Sequence, residues 1–233
     1  MNIPILMYHS ISDDNKNNSV SIKNFDNQMK LLKKLGYKSF NLKDLERIND
    51  NKSFILTFDD GYENIFLNAM PIIKKYNFKA TCFVVSNLIG QLNYWDRNES
   101  HYSKLKLMNK EQITEWIKNG FEVGSHTHEH KNLVDLKNQD LVYQISYPIE
   151  FIKKNFNEKI VSFAYPYGSY NQASKDIVKN KYKYAVTTKR SRYKKNKFNS
   201  NEIPRIPINS NDGIFKFFLK IRTFYEDIKF KNN

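Results

Sequence analysis

Short apolar runs alternate with helix-periodic segments along this sequence, and that alternation limits the possible fold more than any other feature. Apolar runs that predict buried strands cover residues 3–8, 53–58, 80–85, 121–123, 160–163 and 184–188. Segments with apolar residues at helical spacing separate or follow them, at residues 22–35, 62–76, 110–118, 141–154, 171–179 and 214–225. Strands that alternate with helices predict a parallel sheet with helical crossovers, and hence an α/β fold.

Length and composition favour one folded domain over residues 1–233. The chain is 40% hydrophobic and 15% aromatic, with a mean hydropathy of -0.68, so a sizeable core is possible and a membrane bundle is not. The sole cysteine, Cys82, lies in the apolar run 80–85, which predicts a buried thiol and no disulfide framework. No signal peptide or membrane-spanning run is evident, and we therefore expect a cytoplasmic protein.

The formal net charge is +14, which favours anionic surroundings such as phospholipid or phosphate-bearing carriers. The alternative is a lysine-rich composition that only maintains solubility. Residues 189–201 form a basic, low-complexity stretch that we predict to be a solvated connection. We expect peripheral contact with an anionic membrane, at the inner membrane face, and no nucleic-acid partner.

Two adjacent carboxylates, Asp59 and Asp60, follow the predicted strand 53–58 and precede Gly61. The carboxyl ends of parallel strands are where α/β folds place their active sites. Adjacent side chains point in different directions, so one carboxylate can bind a cation while the other serves as a base. The alternative is a helix N-cap followed by a turn.

Three of the five histidines lie within residues 124–130, after another predicted strand. His126 and His130 are four residues apart and would share one face of a helical turn. With Asp60 they would make a site of two imidazoles and one carboxylate, which leaves a zinc position open for water. One alternative is a histidine-rich surface loop. Another is an extended segment whose His-x-His pair, through His128, serves a binuclear centre, but no histidine follows His130 to complete one.

The third candidate site is Tyr165-Pro166-Tyr167-Gly168, at the end of the predicted strand 160–163. A backbone N–H held in this turn could face an oxyanion, although such a turn is more often only structural. Between residues 89 and 107, Tyr94 and Trp95 could form a wall of the site on which a ligand stacks, or simply anchor the loop. His101, in the same segment, has no assigned role.

Together these motifs resemble the polysaccharide deacetylase family, the NodB-homology carbohydrate esterases. Thr57-Phe58-Asp59-Asp60-Gly61 is similar to the first family motif, His126-Thr127-x-x-His130 to the second, and Tyr165-Pro166-Tyr167-Gly168 to the third. Met7-Tyr8-His9-Ser10-Ile11 and residues 120–126 also resemble this family, so the similarity covers about residues 3–210.

The resemblance implies a distorted, TIM-like (β/α) barrel of about seven parallel strands. It implies a divalent metal, usually zinc, held by Asp60, His126 and His130, with Asp59 as general base; such a ligand set also accepts cobalt, nickel or iron. The Tyr167 backbone N–H would stabilise the oxyanion, and Tyr165, Pro166, Tyr94 and Trp95 would contact the substrate.

The chain departs from the family pattern at several positions. Ala164 stands where many members have an arginine, and Arg205 is the candidate replacement that would orient Asp59, with a surface salt bridge as its alternative. Neither a late Leu-x-His nor a clear Asp-x-x-x-Trp is present. The branch with a Phe-Ala-x-Pro-Tyr-Gly motif suggests His9 as the general acid, the alternative being an ordinary hydrogen-bonded histidine.

The resemblance implies removal of an N-acetyl group from an amino-sugar-containing saccharide, whether polysaccharide, oligosaccharide or phosphate- or lipid-linked glycan. A deformylase of a lipid-linked amino sugar and an O-acetyl esterase would use the same site. The alternative from another class is a degenerate module that binds an anionic polymer through residues 189–197, which the intact Asp59, Asp60, His126 and His130 disfavour.

Overall fold

The centre of the molecule is a ring of parallel strands. We describe it from a computed structural model that covers residues 2–14, 18–95, 104–195 and 197–230. Within those residues the strands are β1 (Asn2–Ile3), β2 (Ile5–Tyr8), β3 (Ser10–Ile11), β4 (Ser19–Val20), β5 (Lys38–Phe40), β6 (Ser53–Phe58), β7 (Thr81–Val84), β8 (Glu122–Ser125), β9 (Ser162–Ala164), β10 (Tyr184–Arg190), β11 (Tyr193–Lys194) and β12 (Ile203–Pro207). The order around the ring is β2-β12-β10-β9-β8-β7-β6, and β6 pairs back with β2. The predicted barrel of about seven parallel strands is therefore confirmed.

Helices surround the barrel between successive strands. Their bounds are α1 (Ile22–Lys34), α2 (Met70–Lys75), α3 (Lys110–Lys118), α4 (Asn138–Phe156), α5 (Gln172–Lys181), α6 (Ile214–Arg222) and α7 (Tyr225–Lys229). Polar side chains set where several of them begin: Ser21 accepts a hydrogen bond from the Asn24 backbone, and Asn109 and Asn171 form reciprocal capping boxes. None of the helices in the described ranges is both long and apolar enough to span a bilayer.

Strand alternation divides the core into two clusters. Ile5, Ile55 and Phe83 belong to the cluster inside the barrel, whereas Leu6 and Leu56 belong to the larger cluster under the helices. Along β6 and β12 the same alternation turns Thr57 and Arg205 inward. An arginine inside a barrel requires an acceptor, and the site described below supplies one.

The strand that carries Arg205 is absent from the predicted pattern. β12 contains Pro204 and Pro207, and proline normally disfavours a strand inside a sheet because it lacks an N–H donor. The structure nevertheless pairs β12 with β10 on one side and β2 on the other. β5 is also unpredicted, and it pairs with the first half of β6.

The prediction that residues 189–201 are only a solvated connection is wrong. β10 continues through Arg190, and β11 then pairs antiparallel with β1. Arg192 is buried, and its guanidinium donates hydrogen bonds to the Lys220 and Ile221 carbonyl groups at the end of α6. The segment therefore attaches the C-terminal helices to the barrel, although much of its charge remains exposed.

The mouth of the barrel collects most of the candidate residues because each follows the C-terminal end of a strand. His9 follows β2, Asp59 and Asp60 follow β6, and His126 follows β8. The Asp59 backbone N–H donates to the Tyr8 carbonyl at 3.0 Å, which ties the ends of β2 and β6 together. The site is thus built on neighbouring rigid strands.

Candidate active site

Asp60, His126 and His130 form a compact group of buried metal-ligating side chains. The candidate ligand atoms of the three residues all lie within 4.8 Å of one another. Asp60 Oδ1 is 3.4 Å from His126 Nε2 and 3.3 Å from His130 Nε2. Two imidazoles and one carboxylate aimed at a common point suit a divalent cation with an open coordination position.

Unusual backbone conformations bring these ligands together. Asp60 has φ 71° and Gly61 has φ 74°, so two consecutive left-handed residues turn the chain at the end of β6. Thr127 and His130 have φ 66° and 58°, and the segment is therefore a loop. The prediction that His126 and His130 share a helical turn is wrong: left-handed residues fold the loop back and bring the two rings together.

A hydrogen bond fixes which nitrogen of His126 faces the site. His126 Nδ1 lies 2.8 Å from the Ala164 carbonyl oxygen and must donate to it, since a carbonyl only accepts. Nε2 therefore carries the free lone pair of the neutral ring and points toward Asp60. Metal-ligating histidines typically have such an outer partner, so this arrangement fits a resident cation.

Aromatic rings hold the second imidazole. The Trp95 ring stacks on His130 with centroids 4.3 Å apart and planes at 27°, and the Tyr167 ring meets it edge-on at 4.8 Å. These contacts restrict rotation of the His130 ring. The face of Trp95 that contacts His130 is not free to stack on a sugar.

The electrostatics of the group also favour bound positive charge. Burial would raise the pKa of Asp60, but hydrogen bonds from His126 and His130 outweigh it and hold that pKa well below the usual range. Burial would lower the pKa of His126, but the Asp60 hydrogen bond and the Asp59 charge raise it. Binding of a cation to the neutral ring would therefore compete with protonation of His126.

Asp59 is held by Arg205 in a two-point ion pair inside the barrel. Arg205 Nη1 donates to Asp59 Oδ1 at 2.6 Å and Nη2 donates to Oδ2 at 2.7 Å. Arg205 also donates to Thr57 Oγ1 at 3.1 Å and to the Thr187 carbonyl at 3.0 Å. Its side chain is 0% exposed, so the alternative of a surface salt bridge is wrong. Burial would raise the pKa of Asp59, but the Arg205 charge and hydrogen bonds lower it.

The charged groups face a cavity of about 220 Å³ at the barrel mouth. Its described lining consists of His9, Asn18, Asp59, Asp60, Tyr62, Trp95, His126, His130, Tyr165, Tyr167 and Thr188. A larger groove, of about 1160 Å³, runs between α4 and α5, but none of the paired aspartates or ligand histidines lines it. We therefore take the smaller cavity as the candidate active site.

The cavity brings together most of the predicted site residues and leaves others outside. His9 is half-buried in its wall, whereas Arg205 lies behind Asp59. Tyr94 is 45% exposed and Pro166 is buried, and neither is part of the described lining. The structure thus gives no support to a sugar-stacking wall that includes Tyr94.

His128 points away from the cavity. Its Nδ1 lies 2.8 Å from Ser86 Oγ, and its ring packs edge-on against Tyr143 and Tyr147. Because His128 faces these residues, it cannot share a metal position beside His126, and the structure does not support the His-x-His alternative. His101 lies outside the described residues.

Sequence reasoning did not identify Asn18, Tyr62 or Thr188 as cavity residues. Tyr62 directly follows Asp59-Asp60-Gly61, and Thr188 ends the predicted strand 184–188, so strand-end placement could have identified both. Thr188 also constrains the third motif: a Cβ on Gly168, at φ 70°, would lie 1.9 Å from Thr188 Oγ1. Gly168 is therefore required where the chain passes Thr188.

Comparison with known proteins places this architecture among polysaccharide deacetylases. The sequence model of that family matches residues 46–186, more than half of the chain. The Bacillus subtilis (strain 168) protein YxkH, named for the same family, is 31% identical over 80% of this chain, which spans 64% of YxkH. A Staphylococcus aureus (strain MRSA252) poly-beta-1,6-N-acetyl-D-glucosamine N-deacetylase is 29% identical over 92% of this chain and 76% of that protein. The structure of the Streptococcus pyogenes deacetylase PplD in complex with acetate has a TM-score of 0.82, with 26% identity over 95% of this chain and 99% of PplD.

Proposed function

The chain belongs to the polysaccharide deacetylase family, and on that basis we propose that it is a metal-dependent hydrolase that removes N-acetyl groups from an amino-sugar-containing saccharide. The observation that carries this proposal is the convergence of Asp60, His126 and His130 beside the Arg205-paired Asp59 in one cavity. Two relatives support the choice of bond: the Staphylococcus aureus protein is named as an N-deacetylase of poly-N-acetylglucosamine, and PplD binds acetate.

Asp60, His126 and His130 would hold the metal ion, with zinc the first candidate and cobalt, nickel or iron also compatible with the ligand set. When bound, a divalent cation supplies a water of lowered pKa and polarises the carbonyl group that is attacked. Asp59 would accept a proton from the attacking water. Its depressed pKa keeps it ionised at neutral pH, and Arg205 fixes its orientation.

Expulsion of an amine requires a proton donor, and His9 is our candidate. It lies in the wall of the same cavity as Asp59 and Asp60. Of the other histidines described, His126 and His130 are ligands and His128 faces Ser86. His9 would protonate the leaving nitrogen as the C–N bond breaks, giving acetate and a free amino sugar.

The remaining cavity wall would position the acyl group and the sugar. We propose that the Tyr167 backbone N–H stabilises the developing oxyanion, because its left-handed conformation, φ 58°, turns the chain sharply at this edge of the cavity. Tyr165 and the exposed side of Trp95 line the space beside it. A phosphate- or lipid-linked glycan would also benefit from the +14 net charge of the chain.

Release of acetate from N-acetylglucosamine oligomers, measured after removal and readdition of zinc, tests the proposal directly. The adjacent aspartates provide a matched pair of variants: Asp60→Asn should lose both bound metal and turnover, whereas Asp59→Asn should lose turnover alone. Formate released from an N-formyl analogue, with no acetate from N-acetyl substrates, would favour the deformylase. Acetate released only from O-acetyl sugars would favour the esterase.

A further inference from the structure

The C-terminal helix α6 is apolar on both of its faces. Phe217 and Ile221 are buried against the barrel, as expected for a surface helix. Phe215 on the outer side is nevertheless 73% exposed, and Ile214 beside it is also exposed. Large apolar side chains exposed on the outer side of a surface helix typically mark a surface that another molecule covers.

Two more exposed apolar side chains follow α6 in the chain. Ile228 on α7 is 75% exposed, and Phe224, between the two helices, is exposed as well. We call Ile214, Phe215, Phe224 and Ile228 the C-terminal patch. Large side chains exposed to this degree within one short stretch of chain cost solvation free energy unless something covers them.

Every acidic side chain between residues 208 and 230 is turned inward, away from this patch. Asp212, Glu226 and Asp227 have side-chain exposures of 0%, 1% and 12%. The buried Lys220 lies between two of them, 2.7 Å from Asp212 and 3.2 Å from Glu226, and Lys216 and Arg190 each pair with one of the two as well. These carboxylates therefore contribute little negative charge to the outer surface.

Apart from the buried Lys220, the cations of the same stretch reach the surface. Arg222 and Lys229 are exposed, and Lys216 remains 43% exposed although its ammonium group contacts Asp212. Lys194, from the neighbouring β11, lies over the Phe224 ring at 5.5 Å. The patch is thus an apolar surface bordered by positive charge, and the acidic side chains between residues 208 and 230 add little negative charge to it.

From this combination we propose that the C-terminal patch docks on an anionic phospholipid surface. Phe215 and Ile228 would enter the boundary between headgroups and acyl chains, while the lysine and arginine side chains keep their charged ends at the lipid phosphates. A neutral apolar partner would account for the exposed apolar side chains but not for the positive charge around them. An anionic bilayer accounts for both, because it has an apolar interior and negatively charged headgroups.

Docking would also orient the barrel. α6 follows β12, so Ile214 and Phe215 in its first turn lie on the same side of the molecule as the mouth. A bilayer that contacts the whole patch would therefore lie along α6, with the N-terminal end of the helix nearest the mouth. The inference does not depend on the proposed deacetylation, because it concerns a separate surface.

Co-sedimentation of the full chain with phospholipid vesicles tests the proposal. We expect binding to phosphatidylcholine vesicles that contain phosphatidylglycerol, little binding to phosphatidylcholine alone, and weaker binding when sodium chloride is raised from about 0.1 to about 0.5 M. The double variant Phe215→Ser, Ile228→Ser should bind at least about tenfold less, because two large apolar side chains no longer enter the interface. Both positions are largely exposed, so the variant should retain its unfolding midpoint.

Matched controls distinguish binding through the C-terminal patch from nonspecific apolar or electrostatic binding by the rest of the surface. Val142→Ser removes an exposed apolar side chain from α4 and should not change binding. Arg222→Glu with Lys229→Glu should abolish the preference for anionic vesicles, whereas Lys153→Glu with Lys154→Glu, also on α4, should reduce binding far less. Unchanged vesicle binding by the folded Ser double variant would overturn the proposal. Wild-type self-association that the same variant abolishes, without vesicle binding, would instead make the patch an interface between copies.

Discussion

Replacing Arg205 with methionine perturbs the ion pair that fixes Asp59. Methionine fills much of the same space but donates no hydrogen bond. The substitution leaves both Asp59 oxygens without their 2.6 and 2.7 Å donors, and it also leaves the Thr187 carbonyl without its partner. Asp59 itself stays buried, so water cannot fully replace the lost guanidinium.

The expected cost is large because one member of a buried pair remains. Breaking a buried ion pair by removing one partner typically lowers the free energy of unfolding by about 3–5 kcal/mol. Part of this cost can be avoided if Asp59 takes up a proton. Arg205 now holds the pKa of Asp59 below its usual value, and without that charge burial would raise the pKa above it.

The sign of the pH dependence follows from these two directions. In the wild-type protein the depressed pKa contributes stability that is fully present above the unfolded-state value of about 3.9 and is lost as pH falls through the folded-state pKa. In the Arg205→Met variant the folded-state pKa lies above the unfolded-state value, so lowering the pH toward about 5 relieves the penalty. The difference in stability between the two proteins should therefore be largest near neutral pH and shrink on acidification.

Urea unfolding at several pH values measures this difference. Arg205→Lys is the matched control, since it retains a positive charge but not the two-point geometry, and it should lose less stability than Arg205→Met. Adding Asp59→Asn to Arg205→Met should recover part of the loss, because it removes the unpaired charge. A loss below about 1 kcal/mol that does not vary with pH would refute this account of the pair.

Three further substitutions test individual roles. Asp59→Asn should leave the metal content unchanged and lower the rate of acetate release at least about 100-fold; loss of metal would mean that the aspartate roles are exchanged. His9→Ala should lower kcat about 100-fold on an N-acetyl substrate but less on an O-acetyl ester, where the leaving group needs less protonation, and near-normal turnover on both would exclude His9 as the acid. Gly168→Ala should lower the free energy of unfolding, measured with urea, by about 2 kcal/mol or more, because Gly168 has a positive φ and a Cβ there would collide with Thr188 Oγ1. Adding Thr188→Ser should recover little of this loss, because serine retains the hydroxyl oxygen.

Much of the barrel could be predicted because local pattern and tertiary role agree. The mostly apolar run Ser53–Phe58 is buried throughout, as a strand between a packed interior and covering helices requires. β12 could not be predicted in this way, because Pro204 and Pro207 disfavour a strand. The strand forms because it pairs with β10 on one side and β2 on the other. Sequence alone contains no signal for that tertiary pairing.

The candidate site shows the same division. Strand-end placement predicted that Asp60 and His126 would meet, and they do. It did not predict how His130 reaches them, because left-handed residues such as Thr127 have only a weak sequence signal. The stacking of Trp95 on His130 was also unpredictable, since the contact joins two loops separated by 35 positions in the chain.

The most direct test of the central claim is a metal titration of catalysis. The purified chain is stripped with a chelator, zinc is added back in known amounts, and acetate released from N-acetylglucosamine oligomers is measured alongside bound metal. The account predicts activity that rises in proportion to bound zinc and levels off at about one ion per chain, with His126→Ala neither retaining the ion nor gaining activity. Full acetate release by the stripped protein, or full metal occupancy in His126→Ala, would contradict it.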